Sequence, residues 1–150
     1  MMDIVQFIDT TRSALRGMAV FRASLGHGSI LLIDVKSSDG SAPAYLRVEC
    51  AWRIETPSHV LAASEDTRTT LATQVATLVG CTVRDVEISV PALEMRLVFN
   101  SWKQLTIFPV FADSKEYDNW TIHLADGQVL VAGPGAAIRS LKGDEPYNAM

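Results

Sequence analysis

Two stretches of this chain share one order of residues, and this internal similarity limits the folds open to it more than any other feature. Residues 15–22 read LRGMAVFR and residues 78–85 read LVGCTVRD, so Gly17 and Gly80 occupy the same place 63 positions apart. Similarity at a fixed offset is the mark of a structural unit that occurs twice.

The similarity continues downstream at a larger offset. Trp52 corresponds to Trp120, and residues 60–62 (VLA) correspond to residues 129–131 (VLV), which indicates a small insertion. We therefore expect two pseudo-repeats, over residues about 1–64 and about 65–135. The alternative is that two β-rich halves share an alternation of apolar residues by chance.

Each copy is predicted to begin with a helix. In the second copy Leu71, Val75 and Leu78 fall on one helical face, and the acidic and hydroxyl residues at 65–67 can cap its start. Gly80 then provides the left-handed residue that commonly ends a helix.

The first copy has a similar pattern near its start. Ile4, Ile8 and Leu15 are predicted to form the apolar stripe of the helix, and Gly17 to end it. Both copies would then continue into strands.

Alternating apolar residues predict antiparallel hairpins in the second copy. The first hairpin would join residues 93–99 to residues 105–111 through a turn at 101–103. The second would join residues 120–124 to residues 129–131 through Asp126-Gly127, a strong hairpin signal.

The order of elements predicts the fold class. In the first copy residues 46–54 are predicted as one long strand, so the order is helix, about four strands, helix, and four or five strands. A break at residues 133–135 and a polar tail over residues 136–150 would follow. Because each antiparallel sheet has one apolar face to cover, we predict a single α+β domain over residues 1–150, mostly antiparallel β, built as a two-sheet sandwich or half-open barrel with two helices.

Charge and targeting signals exclude several classes of function. The chain has a net charge of −4 and a pI near 5.3, which disfavours nucleic acid and anionic membrane as partners. No basic leader or long apolar run is present, so we expect a cytoplasmic protein with reduced cysteines. Residues 1–54 carry six Lys/Arg and five Asp/Glu, whereas residues 55–150 carry seven and twelve, so the acidity belongs to the second copy.

The residues that most often carry chemistry are scattered. Cys50 lies on an apolar strand face and Cys81 follows a helix C-terminus, where the helix dipole does not favour a thiolate. His27, His59 and His123 lack the spacing of a metal site. We therefore predict no catalytic residue, no cofactor and no metal site, although a Cys/His pair formed across the fold remains an alternative.

A cluster of charged and aromatic residues is the candidate partner-binding surface. Asp113, Glu116 and Asp118 lie in one loop, and we predict that Trp102 and Tyr117 are exposed aromatic residues beside them. Aromatic side chains supply rigid contact area, and carboxylates attract a basic partner. The alternatives are a merely solvated loop and a Trp102 that packs over its own hairpin.

One stretch of the second copy carries a family resemblance. It includes LVF at 97–99, LTIFP at 105–109, DNWTI at 118–122, DG at 126–127 and GPG at 133–135. Residues about 80–135 thereby resemble small bacterial families of uncharacterised or immunity-type proteins. Immunity proteins of polymorphic toxin systems bind their toxins stoichiometrically, so the resemblance implies a binding function without catalytic residues. Residues 35–45 depart from the pattern, so the resemblance is not extended to the first copy.

Three classes of function follow from these observations. We expect a non-enzymatic binding protein, such as an immunity protein that blocks a toxin with a basic domain. The second hypothesis is a small-molecule-binding or enzymatic domain with a pocket between the two sheets. The third is a structural or oligomerisation module, such as a homodimer.

Overall fold

The computed structural model describes residues 2–142, and its first element is a capped helix. Helix α1 spans Ile4–Leu15 and begins at Asp3, whose carboxylate accepts a hydrogen bond from the Gln6 backbone N at 2.9 Å. The Gln6 side chain returns the contact by accepting from the Asp3 backbone N at 3.1 Å. This reciprocal capping box fixes where the helix starts.

The buried face of α1 differs from the predicted stripe. Phe7, Thr11 and Leu15 are buried, whereas Ile4 is 37% exposed and Ile8 is only partly buried. Phe7 lies against Trp120, with ring centroids 5.5 Å apart. The largest apolar side chain therefore sets the orientation of the helix, and the prediction was wrong for its first two positions.

Helix α2 forms where it is predicted but ends at Ala76, so Leu78 and Gly80 lie in the turn that follows the helix. It spans Arg68–Ala76, and the Thr67 side chain caps it by accepting from the Thr70 backbone N. Leu71, Val75 and Leu78 are buried as predicted, and Gly80 has a φ of +90°. Neither helix in residues 2–142 is long and apolar enough to cross a membrane.

Within the described residues, eleven strands form two antiparallel sheets that do not close into a barrel, which confirms the α+β class. Sheet A has the order β1-β2-β3-β9-β10-β11 and sheet B the order β5-β4-β8-β7-β6. The strands are β1 Ala19–Leu25, β2 Leu31–Lys36, β3 Ala44–Val48, β4 Ala51–Glu55, β5 Val60–Ala63, β6 Val83–Ser89, β7 Glu94–Phe99, β8 Gln104–Phe108, β9 Trp120–His123, β10 Gln128–Ala132 and β11 Ile138–Lys142.

The long strand predicted over residues 46–54 is two strands in different sheets. β3 belongs to sheet A and β4 to sheet B, and Glu49 and Cys50 make the crossing. Their backbone N–H groups both donate to the Asn119 carbonyl, at 3.0 and 3.2 Å. The apolar alternation continues through the crossing, which is why the sequence alone does not reveal it.

The two halves contribute strands in the same way. β1, β2 and β3 are consecutive in sheet A, while β4 and β5 join sheet B. β6, β7 and β8 are consecutive in sheet B, while β9 and β10 join sheet A. β11 follows the break at residues 133–135, so this break is a turn and the predicted tail begins with a strand. Residues 143–150 of that tail lie outside the described residues, and the duplication and the single domain stay predictions.

The two sheets meet along a junction that we call the seam, formed by residues 17–20 and 80–83. Ala19 and Thr82 lie opposite each other in an antiparallel bridge. Four backbone hydrogen bonds surround the bridge: Gly17 N to Val83 O, Gly80 N to Val20 O, Val83 N to Met18 O, and Val20 N to Cys81 O, at 2.7 to 2.8 Å. The seam therefore ties the first strand of each half to the other.

Apolar side chains fill the space between the sheets. Trp52 and Trp120 are 1% and 0% exposed, and each indole N–H has a buried or half-buried acceptor. Trp52 Nε1 donates to Ser29 O at 2.7 Å, and Trp120 Nε1 donates to Leu93 O at 2.9 Å. Leu46, Ile54, Leu97, Leu105 and Ile122, which come from both sheets, are all 0% exposed.

Candidate functional site

The connection between β8 and β9 is far longer than its path requires. Residues 109–119 make this crossing from sheet B to sheet A, and we call them the crossing loop. Glu49 and Cys50 make the corresponding crossing from β3 to β4 with two residues. A long loop on a scaffold that does not need it is a common place for a binding function.

Asn119 closes the base of the crossing loop. Its side chain is 1% exposed, and its Oδ1 accepts from the backbone N–H groups of Val110 and Phe111, at 3.2 and 3.0 Å. Its Nδ2 donates to Phe111 O at 3.2 Å, and Gly135 N donates to the same carbonyl at 2.8 Å. The two ends of the loop are thus held together by one amide side chain.

A second set of contacts orders the tip of the crossing loop. Ser114 Oγ accepts from the backbone N–H groups of Glu116 and Tyr117, at 3.2 and 3.0 Å. The Tyr117 ring stacks on Phe111, with centroids 5.3 Å apart and an angle of 21° between the planes. The loop therefore presents its outer side chains from an internally bonded frame.

The charged residues of the crossing loop differ in exposure and in whether they already form an ion pair. Asp113, Glu116 and Tyr117 are exposed, and so is Lys115. Asp118 is half-buried and accepts from Arg139 of β11 at 2.6 Å. Asp113 and Glu116 are thus available to an incoming cation, while Asp118 holds the loop against β11.

The structure separates Trp102 from the other predicted partner-binding residues. Trp102 lies in the β7–β8 turn, while Asp113, Glu116 and Tyr117 follow the far end of β8. A five-residue strand between them corresponds to roughly 15–20 Å. Trp102 is 67% exposed, with the Arg84 guanidinium 5.4 Å from its ring centroid, so it does not pack over its own hairpin alone.

Sequence reasoning missed a row of titratable side chains on the outer face of sheet A. Backbone pairing places Asp34 opposite Tyr45, and Tyr45 opposite His123, on three neighbouring strands. Arg22 Nε lies 3.1 Å from Asp34 Oδ2, and the Tyr45 and His123 rings are 5.4 Å apart. His123 is half-buried. Side chains alternate between the two faces of a strand, so the apolar residues of β3 and β9 could have indicated that Tyr45 and His123 lie on the outer face of sheet A.

Burial changes the protonation behaviour of this row. The pKa of Asp34 is raised because its carboxylate is buried, and Arg22 offsets only part of this effect. The pKa of Tyr45 is also raised by burial, while burial and then the charge of Arg47 lower the pKa of His123. Asp34 is 5% exposed, so a substrate has little access to its carboxylate.

The thiols and histidines form no metal site in the described part of the chain. No group of three or more His, Cys, Asp or Glu side chains in residues 2–142 could hold a metal ion. Cys50 is buried, and this burial raises the pKa of its thiol to about 12. A neutral thiol of this kind is a poor nucleophile.

A groove lies at the surface instead of between the sheets. Its volume is about 780 Å³, and Met2 and Phe7 of the α1 region line it together with Ile138 and Leu141 of β11. Between the sheets, the described residues form one cluster of buried apolar side chains.

No protein family matches this chain, and neither a curated protein nor a solved structure is significantly similar to it.

Proposed function

We propose that this chain is a non-enzymatic protein-binding protein and that the crossing loop is its recognition surface. The observation that carries the proposal is an eleven-residue crossing, closed by Asn119 and ordered by Ser114, where two residues suffice elsewhere in the fold. A loop that is ordered before binding loses little conformational entropy in a complex. Its exposed Tyr117 provides the kind of side chain that dominates binding energy at interfaces.

The charge of the crossing loop indicates the chemistry of the partner. Asp113 and Glu116 are exposed in the crossing loop, and Asp118 is already paired with Arg139. Exposed carboxylates attract cationic surfaces and raise the association rate. We infer a partner that is basic where it contacts this loop.

The proposal extends to an immunity protein of a bacterial toxin system that acts in the cytoplasm. The crossing loop falls inside residues 80–135, which resemble immunity-type families, and a one-to-one inhibitor needs a rigid docking surface without catalytic groups. The rival hypothesis of a homodimer predicts a molecular mass that depends on concentration, which light scattering measures.

Duplication of one unit is part of the same proposal. The β1–β2 pair has a register shift between Val20 and Arg22, and the β6–β7 pair has one between Val83 and Asp85, 63 positions later. The seam hydrogen bonds are reciprocal between the two halves. The crossing loop then stands out as the insertion that distinguishes the second half from the first.

A two-step experiment tests the proposed function. The chain is used to capture partners from the source bacterium, in parallel with an Asp113→Asn/Glu116→Gln/Tyr117→Ala variant. A captured protein is then purified, and its affinity is measured by calorimetry over a range of salt concentrations. We expect one-to-one binding that weakens with salt and falls about a hundredfold or more in the loop variant.

The matched control is Lys142→Gln, which changes an exposed charge on β11 outside the loop. A partner that binds the loop variant and the control equally well refutes the recognition surface. Turnover of a substrate by the purified chain refutes the non-enzymatic assignment.

A further inference from the structure

The outer surface of the seam carries two aromatic rings with cations on them, and Arg22, which is paired with Asp34, is a further cation 5.7 Å from the centroid of the Phe21 ring. The Lys36 ammonium is 4.7 Å from the centroid of the Phe21 ring. The Arg84 guanidinium is 5.4 Å from the centroid of the Trp102 ring. Both pairs combine a positive charge with an aromatic face, and arginine and tryptophan, which form the second pair, are enriched where proteins bind one another.

These two pairs face the same side of the molecule. Val20 and Val83 are buried, so Ala19 and Thr82 point away from the core on the outer side of the bridge. Lys36 lies opposite Ala19 in the register of β1 and β2. On the β6 side of the bridge, Thr82 exchanges hydrogen bonds with Asn100, which comes two residues before Trp102.

The spacing of the two pairs fits a single polypeptide segment. The row from Lys36 through Ala19 and Thr82 to Asn100 crosses three strand spacings, or roughly 15 Å. Ala19 and Thr82, at its centre, have small side chains. Small residues therefore lie between Lys36 on β2 and the β7–β8 turn that carries Trp102, and Arg84 follows Thr82 on β6.

The two cations are not neutralised within the described residues. Five arginines form ion pairs with carboxylates, namely Arg22, Arg47, Arg53, Arg96 and Arg139. Residues 2–142 offer neither Lys36 nor Arg84 a carboxylate within ion-pair distance. Arg84 is exposed, so its guanidinium can take a carboxylate through two parallel hydrogen bonds.

The backbone at Trp102 supports a role for this surface. Trp102 has a φ of +68°, a left-handed conformation that is unfavourable for a bulky side chain. Trp102 is also 67% exposed. Backbone strain of this kind is concentrated at functional sites.

We propose that the outer surface of the seam binds an acidic polypeptide segment, with carboxylates at Lys36 and Arg84 and an apolar side chain against Trp102. This surface is separate from the crossing loop, which attracts a basic partner. Nucleic acid is disfavoured because the chain as a whole has a net charge of −4. A local cationic strip on an acidic protein suits a short acidic segment that contacts little else.

The test uses a short synthetic peptide of alternating glutamate and serine with one phenylalanine. Trp102 is the exposed tryptophan, whereas Trp52 and Trp120 are buried, so a change in tryptophan emission reports on the seam. We expect saturable binding that weakens with salt and falls about tenfold or more in Lys36→Gln/Arg84→Gln. Trp102→Ala, measured by calorimetry, should weaken binding by a similar factor while near-ultraviolet circular dichroism shows a folded protein.

The controls separate this surface from the crossing loop and from general charge effects. Lys115→Gln removes a cation at the far end of β8 and should leave the affinity for the acidic peptide unchanged within about twofold. The proposal is overturned if saturable binding is absent, or if a peptide with glutamine in place of glutamate binds as tightly as the acidic peptide. It is also overturned if Lys115→Gln weakens binding as much as the seam variants do, or if oligothymidine binds more tightly than the acidic peptide. Binding of a basic partner at the crossing loop should not respond to the seam variants.

Discussion

Removing the Asn119 side chain should open the base of the crossing loop. Asn119→Ala deletes three hydrogen bonds to the backbone of Val110 and Phe111, made by a side chain that is 1% exposed. Each bond contributes about 1 kcal/mol, and water can satisfy part of the backbone that is released, so we expect a loss of about 2–3 kcal/mol in unfolding free energy. For a chain of this length the melting temperature should fall by about 5–10 °C.

A neighbouring glycine allows this reasoning to be tested by a double-mutant cycle. A Cβ at Gly133, where φ is +88°, would clash with the Asn119 amide. Gly133→Ala should therefore be costly in the natural background and less costly after Asn119→Ala, with a coupling of about 1 kcal/mol or more. Part of the cost will remain, because the positive φ disfavours alanine in either background.

Urea unfolding measures the four free energies, and hydrogen exchange at the Val110 and Phe111 amides shows whether the loop base is the part that opens. Asn100→Ala is the matched control, since Asn100 is exposed and its Oδ1 accepts one bond, from Thr82 N at 3.1 Å. We expect it to cost about 1 kcal/mol or less. A loss below about 1 kcal/mol in Asn119→Ala, or additive effects in the cycle, would refute the role assigned to Asn119.

Three further predictions follow from burial and charge. Iodide should quench the emission of Trp102 more strongly than caesium does, because the Arg84 guanidinium lies on the Trp102 ring, whereas the buried Trp52 and Trp120 should stay unquenched. Stronger quenching by caesium would contradict the cationic surface. Cys50 should resist iodoacetamide in the folded protein at neutral pH and react after unfolding in urea, because its thiol pKa is raised to about 12; rapid labelling of the folded protein would contradict this. The pKa of Asp34 is raised above 3.8 in the folded state, so the folded state binds more protons than the unfolded state, and the free energy of unfolding falls as the pH rises from the unfolded to the folded pKa. Asp34→Asn should remove this fall in urea titrations from about pH 3.5 to 7, and an unchanged pH profile would contradict the role of Asp34.

The spacing of apolar residues in the sequence correctly predicts a helix or hairpin when that element packs one face against the core. Leu71, Val75 and Leu78 are buried as expected, and Asp126-Gly127 joins β9 to β10. Residues 46–54 show where this reasoning stops. Both β3 and β4 turn the same alternation toward one core, so nothing in the apolar pattern marks the change of sheet at Glu49 and Cys50.

The candidate site shows the same limit. Composition identifies Asp113, Glu116 and Tyr117 as a charged and aromatic loop, and the structure keeps them together. Trp102 is near them in sequence, but β8 separates it from them in the fold. The role of Asn119 follows from its contacts with residues eight and nine positions earlier, which depend on the crossing between sheets and have no local signature.

The exchange of strands between the halves has a consequence for how the chain reaches its folded state. Arg47 of β3 and Thr121 of β9 are paired neighbours in sheet A although 74 positions separate them. Such distant pairings must form before either sheet is complete, so folding should be slow for a chain of this size and should require most of it to be synthesised first. Neither half alone holds a complete sheet, and two separately expressed fragments divided near Glu65 should fold only when mixed.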